Sequence, residues 1–442
     1  MRKLTLLAAF ALAATTARAQ TIQATSTTML TIGQQARGGV PGQEPDLVTV
    51  APAFEILSVS ARGIRNPLAD DLEIVVSTWG SWELADPRWD AGTTSDLNGD
   101  VVTGYVRGKL LKRRLSVTAG RAMVSMGASR FLQLDGGEAS MRLPLGFQLQ
   151  AYGGSPVSQR FQSREGPKSW NPAGGDVAFG GRVGWSTFWP GASGKGLDVG
   201  AFTSWVLDGD DTARDDVGGD FRFQPLGNLT FSGFGVFSLT EERLGDATVQ
   251  AFWSLSRAVH LTADWRYTAP DLMLPRTSIL AVFADSNRNS LGGGATWNAT
   301  ENLTLGADAH VVIEPGDQPG DDSYGWEAVL RADLTRGAGI YGAELSSLDS
   351  YENGYVGARV YARREFGPAF GAADVLAHFF REDVNDESLA LTGILTAGYR
   401  IGGGWSAVVS GRAGMNPFFE QQYDAMVKLA YNQTYTVREV RP

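Results

Sequence analysis

The chain has 442 residues, a formal net charge of −10, 55 glycines, three histidines and no cysteine. The excess of acidic residues argues against nucleic acid as a partner. The absence of cysteine excludes a disulfide framework, a thiol nucleophile and a zinc site of the cysteine type.

The first 20 residues have the pattern of a Sec-type export signal. Met1-Arg2-Lys3 precedes an apolar run over residues 4–14, and Ala17-Arg18-Ala19 has the A-x-A form of a cleavage site. The apolar run is about half of the roughly 20 residues that a membrane-spanning helix needs. We therefore predict that residues 1–19 are cleaved, which takes the net charge to about −13 by removing three basic residues. Residues 20–442 are then expected to form a single β-barrel domain with no plug domain.

After the signal, short runs of alternating apolar and polar residues predict β-strands. In residues 259–267, for example, Val, Leu, Ala, Trp and Tyr share one face and His, Thr, Asp and Arg share the other. The 22 runs lie near residues 21–33, 46–62, 71–82, 101–111, 114–124, 135–143, 146–154, 177–189, 196–207, 216–224, 228–239, 246–255, 258–268, 288–298, 302–313, 324–334, 338–347, 353–364, 369–380, 389–400, 404–413 and 421–431.

Short turns between these runs alternate with longer, mostly acidic connections. The longer connections include residues 83–100, 155–176, 208–215, 270–287, 314–323 and 381–388. Tight turns on one side and long loops on the other are typical of outer-membrane proteins. The pattern therefore predicts an all-β fold: a transmembrane antiparallel up-and-down β-barrel of about 22 strands (range 18–24), with short periplasmic turns and longer extracellular loops.

The polar faces of the runs carry charges that are too frequent for a lipid face or a dry core, so we assign them to a hydrated lumen. The predicted pore-lining residues are Arg107, Lys109, Arg142, Arg182, Arg222, Asp264, Arg266, Asp308, His310, Arg331, Asp333, Glu344, Arg359, Arg363, Arg400 and Arg412. Two interpretations of the basic residues stay open. They form a ladder that favours anionic or sugar-like solutes, or they brace the wall by pairing with Asp264, Asp333 and Glu344.

Aromatic residues near the ends of the runs lie on the apolar side, where Trp and Tyr favour the membrane interface. The predicted interface aromatics are Trp185, Trp189, Trp205, Trp253, Trp265, Tyr267, Tyr399, Trp405, Tyr423 and Tyr431. The alternative is that they are ordinary core aromatics.

Acidic clusters are the main candidates for metal binding. Residues 96–100 begin like a calcium loop, but Val101 replaces the required glycine and Arg107 the final glutamate. The clusters at 208–216 and 317–322 could bind divalent cations that bridge them to anionic lipopolysaccharide, or they could repel anionic solutes at the mouth. The alternative is that they are solvated loop tips. We predict no metal site and no cofactor.

The histidines give no support for catalysis. None lies in a nucleophile-elbow context, and His260 and His310 both fall on the wet face, within hydrogen-bonding reach of an aspartate. We therefore predict no catalytic residues and no enzymatic activity. Residues 270–284 are unusually apolar for an external loop, and they form a constriction, a short helix at the rim or an additional strand.

Two motif-like words occur, Gly120-Arg121 and residues 127–136 (GASRFLQLDG). With the strand pattern, they make the chain resemble bacterial outer-membrane porin-type barrels, in the general style of the porin and alginate-exporter superfamily. No binding residues are carried over from that family. Such barrels usually end on an aromatic residue, whereas this chain ends on Pro442, so Tyr431 or Tyr435 is expected to close the last strand.

The resulting prediction is a Sec-exported channel in the outer membrane of a Gram-negative-type bacterium, for passive diffusion of small polar or anionic solutes. Its expected partners are outer-membrane lipid and lipopolysaccharide, and the barrel-assembly machinery during biogenesis. The alternative function is a closed-lumen barrel with a structural or surface-interaction role.

Overall fold

The structure is a computed structural model that describes residues 21–37, 46–66, 69–85, 97–125, 127, 131–157, 159–162, 166–169, 177–187, 195–208, 211–269, 287–314, 322–350, 353–417 and 419–436. The predicted signal, Trp189 and the apolar segment 270–284 lie outside these residues. No helix in the described part is long and apolar enough to cross a bilayer.

Strands account for nearly all of the described chain, and one 3₁₀ turn, Pro144–Gly146, lies among them. The strands are β1 (Thr21–Arg37), β2 (Asp46–Val50), β3 (Pro52–Asn66), β4 (Ala69–Glu83), β5 (Leu97–Leu110), β6 (Leu115–Val124), β7 (Leu132–Arg142), β8 (Phe147–Pro156), β9 (Gln159–Gln162), β10 (Gly166–Ser169), β11 (Val177–Ser186), β12 (Gly196–Asp208), β13 (Asp211–Leu226), β14 (Leu229–Ser238), β15 (Arg243–Ser254), β16 (Val259–Thr268), β17 (Arg288–Asn298), β18 (Leu303–Glu314), β19 (Ser323–Arg336), β20 (Gly339–Asp349), β21 (Gly354–Phe366), β22 (Ala369–Val384), β23 (Glu387–Gly402), β24 (Trp405–Asn416) and β25 (Phe419–Thr436).

The strands form a closed antiparallel barrel in which each strand pairs with its neighbours in the chain. The barrel closes where β1 pairs with β25, from Thr21 opposite Thr436 to Gly33 opposite Asp424. The barrel has 22 strands, because β2 continues β3 along β1 in the same register and β9 pairs with β10 in a separate hairpin. The prediction of an antiparallel up-and-down barrel of about 22 strands is therefore confirmed.

The alternation in sequence becomes an alternation between the two faces of the wall. Across β16 to β19, one row of paired residues contains Asp264, Gly292, His310 and Glu327. The neighbouring row contains Trp265, Leu291, Val311 and Trp326, and Leu291 is 62% exposed. Because a closed barrel has one inner and one outer face, the charged rows line the interior and the apolar rows cover the outside.

The two rims of the barrel differ. One rim, which we call the turn rim, carries the tight turns, such as Gly337-Ala338 between β19 and β20. Thr21 at the start of β1 and Thr436 at the end of β25 lie at this rim. The opposite rim, which we call the loop rim, carries the connections after β4, β8 and β16, among others. The connection after β8 includes the β9–β10 hairpin, and β10 lies against β5.

Two of the predicted loops are wrong. In place of a loop at 208–215, β12 runs to Asp208 and β13 begins at Asp211. In place of a loop at 381–388, β22 and β23 meet at the two-residue turn Asn385-Asp386, whose φ angles are 51° and 64°. Both segments lie at the loop-rim ends of strands, where side chains reach water without a loop, so acid-rich composition does not distinguish a loop from a strand end here.

Buried apolar side chains gather on one side of the interior. Val124, Leu134, Tyr152 and Ala178 form a cluster, and Leu132 and Val206 pack against it. The register places this cluster on the same face as Arg182, near the loop rim of β6 to β12. We call the inner face of β6 to β14, with the loop-rim half of β5, the covered wall. The inner face of β17 to β25 and β1 to β4, with the turn-rim half of β5, is the open wall.

Candidate functional site: the charged inner wall

The register places all 16 predicted pore-lining residues on the inner face. Arg331, for example, pairs with Glu344, and Glu344 pairs in turn with Arg359 on the next strand. Alternation with apolar residues is the local cause, since each strand turns every second side chain inward.

On the open wall, the basic residues pair with carboxylates, mostly from neighbouring strands. We call six of these contacts the open-wall pairs: Arg62 Nε to Glu73 Oε1 at 2.8 Å, Lys109 Nζ to Asp71 Oδ2 at 3.4 Å, Arg331 Nε to Glu344 Oε2 at 3.4 Å, Arg359 Nε to Asp374 Oδ1 at 3.0 Å, Arg400 Nη2 to Glu365 Oε1 at 2.7 Å and Arg412 Nε to Asp424 Oδ2 at 2.6 Å. Two further residues join them, because Arg363 contacts Glu365 at 3.4 Å and Arg107 contacts Glu73 at 3.6 Å.

The two ends of each open-wall pair differ in exposure. The cationic side chains are 41–61% exposed, and their carboxylate partners are 20–39% exposed. In every pair the cation is the more exposed partner. Solvent-exposed ion pairs contribute only about 0.2–1 kcal/mol each, so the cations stay available to other anions. These six pairs therefore present mainly positive charge to the interior, whereas around His310 the more exposed groups are Asp308 and Glu327, at 49% and 41%.

The covered wall has the opposite character at Arg182. This guanidinium is 7% exposed and lies 2.6 Å from Asp220 and 3.2 Å from Asp198. Its charge is therefore enclosed by two carboxylates and turned away from water, as a buried cation requires.

A connection from the loop rim reaches this buried arginine. Gly127, from the connection after β6, has φ +54°, and a Cβ there would collide with the Asp220 carboxylate and lie 2.9 Å from Arg182 Nε. Because β13 is separated from β6 by four other strands of the wall, Gly127 lies well inside the barrel. Arg121, from the Gly120-Arg121 motif, donates two parallel hydrogen bonds to the Asp135 carboxylate, from Nε and Nη2, at 2.7 Å each.

His310 is surrounded by carboxylates. Nε2 lies 3.0 Å from Asp264, while Nδ1 lies 3.0 Å from Asp308 and 3.7 Å from Glu327. The acids contact opposite edges of the ring, so they do not converge on one point. Within the described ranges, no group of three or more His, Asp or Glu side chains could hold a metal ion.

The partners of the other predicted residues differ in detail from the bracing interpretation. Glu344 pairs with Arg331 as expected, whereas Asp333 accepts a hydrogen bond from the Tyr361 hydroxyl. His260 Nδ1 lies 3.0 Å from Ser254 Oγ. Arg142, Arg222 and Arg266 share the inner face without belonging to the six open-wall pairs.

Sequence reasoning missed Arg62 and five of the six carboxylates in the open-wall pairs. Glu344 was the exception. Asp71 and Glu73 had a usable signal, since they alternate with Leu72 and Ile74 on a predicted strand. Their pairing with Lys109 and Arg107 depends on the register between strands.

The nine described interface aromatics all lie on the outer face. Trp185, Trp253, Tyr399, Trp405 and Tyr431 lie toward the turn rim, and Trp205, Trp265, Tyr267 and Tyr423 lie toward the loop rim. Tyr423 is 58% exposed and Tyr399 is 51% exposed, so these two residues are not core aromatics. The prediction missed Trp82, Trp297 and Trp326, which are also exposed.

No protein-family model matches the chain, and no curated protein matches it by sequence. Among solved structures, it is similar to a mutant of the ferric enterobactin receptor PfeA from Pseudomonas aeruginosa, with 9% identity, a TM-score of 0.54 and coverage of 94% of this chain and 81% of the receptor. OccAB4 from Acinetobacter baumannii aligns with 9% identity, a TM-score of 0.47 and coverage of 95% and 99%. The outer membrane protein OpdK from Pseudomonas aeruginosa aligns with 11% identity, a TM-score of 0.45 and coverage of 94% and 99%. At these identities the likeness concerns the fold alone, and the match to the receptor, at a TM-score of 0.54, fits the closed β-barrel described above.

Proposed function

We propose that this protein is an outer-membrane channel for passive diffusion of small polar and, in particular, anionic solutes. The observation that carries the proposal is the exposure difference within the open-wall pairs, in which every cation is more exposed than its carboxylate. A solute that follows this wall meets guanidinium and ammonium groups first.

The pairing also suits release of the solute. Conduction requires binding that is favourable enough for entry and weak enough for exit. Each cation has a carboxylate close by, so the attraction for an anion is moderate and is repeated along the wall. Such a surface transmits anions without holding them.

The dimensions leave room for a pathway. With strands about 4.8 Å apart and tilted by about 40°, a 22-strand barrel places its backbone about 22 Å from the axis. Inner side chains and the Gly127 connection narrow this space from the covered wall. The open wall then forms the side along which solutes pass.

The outer surface supports a membrane location. Large apolar side chains such as Leu291, Leu330 and Leu395 are more than half exposed on the outer face, between two belts of aromatic residues. This arrangement suits a hydrocarbon layer bounded by two interfaces. We place the turn rim on the periplasmic side of the outer membrane of a Gram-negative-type bacterium, after Sec export and insertion by the barrel-assembly machinery, with lipopolysaccharide and phospholipid around the barrel.

One observation favours a second candidate function. Gly127 contacts the Arg182–Asp220 pair inside the barrel, and the β9–β10 hairpin of a second loop-rim connection lies against β5. If these connections occlude the lumen, the protein is a closed barrel with a structural or surface-interaction role.

Conductance separates the two functions. The purified full-length protein is added to a planar bilayer in symmetric KCl, and then in a tenfold KCl gradient. Discrete current steps and a reversal potential of the sign for chloride preference are expected. The absence of steps at every voltage would overturn the channel and favour the closed barrel, and a preference for potassium would overturn the anionic solute class.

A further inference from the structure

The outer wall has a shallow apolar cavity of about 500 Å³ across β21 to β24. Its floor consists of small residues: Ala362, Gly371, Ala373, Ala397 and Gly411. Leu395 and Val409, which are 69% and 55% exposed, stand beside this floor as ridges. The register places all seven on the outer face, opposite in direction to the open-wall pairs.

An arginine lines the end of the cavity toward the turn rim. Arg364 lies on the outer face of β21, two residues before the strand ends at Phe366. Its Cζ lies 5.5 Å from the centre of the Phe366 ring. Among the described residues, no carboxylate forms an ion pair with Arg364. Its sequence neighbour Glu365 faces the interior, where it pairs with Arg363 and Arg400.

The position of this charge indicates its counterion. An arginine on the lipid face costs about 2–4 kcal/mol at the membrane centre but only about 0–1 kcal/mol near an interface. At about 3.3 Å per residue, Arg364 lies roughly 7 Å along the strand from its end, within reach of the headgroup layer. The anions of that layer are phosphates, which guanidinium groups bind with two parallel hydrogen bonds.

We propose that this cavity binds one phospholipid, with its phosphate on Arg364 and an acyl chain along the small-residue floor. The proposal rests on the membrane location proposed above. A second copy of the barrel is a poorer occupant, because a twofold contact through this surface would place one Arg364 close to the other. The phospholipid satisfies both the unpaired cation and the apolar floor.

The test measures lipid retention. Full-length protein is reconstituted in nanodiscs of phosphatidylglycerol. The protein is then released from the nanodisc in the mass spectrometer, and native mass spectrometry counts the lipids that stay bound to it. We expect one retained phosphatidylglycerol for the wild type, and at least a fivefold lower retained fraction for Arg364→Gln and for Ala373→Leu, which fills the floor. Diacylglycerol with the same chains, which lacks phosphate, is expected to be retained equally poorly by all variants.

Two control variants make the test specific. Arg400→Gln removes the same charge from the inner face, and Ala343→Leu adds the same bulk to the outer face of β20 outside the cavity. Both are expected to retain phosphatidylglycerol like the wild type. The proposal would be overturned if all four variants retained phosphatidylglycerol equally, or if the test and control variants lost it equally. It would also be overturned if the wild type were a dimer and the test variants lost the dimer and not the lipid.

A separate measurement distinguishes this proposal from the location on which it rests. Flotation with liposomes reports membrane insertion, and heat-modifiable migration on gels reports folding of each variant. A barrel that floats but whose retention of phosphatidylglycerol is insensitive to Arg364→Gln overturns the lipid site alone. A folded wild type that does not float overturns the membrane location, and the lipid site with it.

Discussion

Removing cations from the open wall should reduce the preference of the channel for anions by a calculable amount. The change is the triple substitution Arg331→Gln, Arg359→Gln and Arg412→Gln, which leaves Glu344, Asp374 and Asp424 in place. All three arginines are more than 40% exposed, so their charge acts largely through water.

The magnitude follows from the size of the barrel. With the backbone about 22 Å from the axis and arginine side chains that reach about 7 Å inward, the guanidinium groups lie roughly 12 Å from an ion whose path is shifted about 3 Å toward the open wall. One charge at that distance contributes about 0.1 kcal/mol in water at 0.1 M salt. The three substitutions together raise the free energy of an anion in the channel by about 0.3 kcal/mol and lower that of a cation by about 0.3 kcal/mol. The anion-to-cation permeability ratio therefore falls about threefold.

The assay is the reversal potential in a planar bilayer, with KCl at a low mean concentration and again near 1 M. The shift should shrink at 1 M, where the screening length falls to about 3 Å. In the matched control, Glu344→Gln, Asp374→Asn and Asp424→Asn are added to the triple variant, so that the net charge of the wall is restored. We expect this control to recover most of the wild-type ratio. An unchanged ratio in the triple variant would refute an anion pathway along the open wall.

Three further changes test other parts of the structure. Tyr152→Phe leaves the buried Ser204 hydroxyl without its 2.6 Å partner, and should lower the free energy of unfolding in urea by about 1–2 kcal/mol. The double variant Tyr152→Phe with Ser204→Ala removes both hydroxyls, and should lose less stability than Tyr152→Phe alone. Gly127→Ala forces a Cβ against the Asp220 carboxylate and should displace the inward connection, so single-channel conductance changes while heat-modifiable migration stays as in the wild type. Asp386→Gly places glycine at φ 64° in a two-residue hairpin turn and should stabilise the barrel by about 0.5–1 kcal/mol, and a loss of stability in urea would contradict that account.

The faces of the wall could be predicted from sequence because the strand period is local. In residues 259–267, alternation alone separates Asp264 and Arg266 from Trp265 and Tyr267, and a wet interior needs no further information. The strand number follows in the same way, since each alternating run is a separate strand.

The contacts between strands could not be predicted, because they depend on register. Arg359 meets Asp374, and Arg400 meets Glu365, only once β21, β22 and β23 are aligned. Gly127 is a similar case. Its motif-like context was visible, but its contact with Asp220 joins connections and strands that are far apart in the chain.

The error at residues 381–388 has a local cause. Acidic composition indicated a loop, although Asn385-Asp386 is also a dipeptide that accepts positive φ in a tight hairpin. The stronger signal was the turn chemistry, and it would have extended β22 and β23 to their observed ends.

The seam between β1 and β25 has a consequence for assembly. Thr21 pairs with Thr436, so the residues that close the barrel are separated by almost the whole described chain. Every other pairing in the wall joins strands that are near in sequence and can form as hairpins, whereas this one has no local route. Until β25 arrives, β1 has an edge of unpaired backbone N–H and C=O groups that nothing else in the wall can satisfy. Folding of this protein is therefore expected to be limited by a single long-range event, and substitutions along the seam should slow assembly more than equal losses of stability elsewhere.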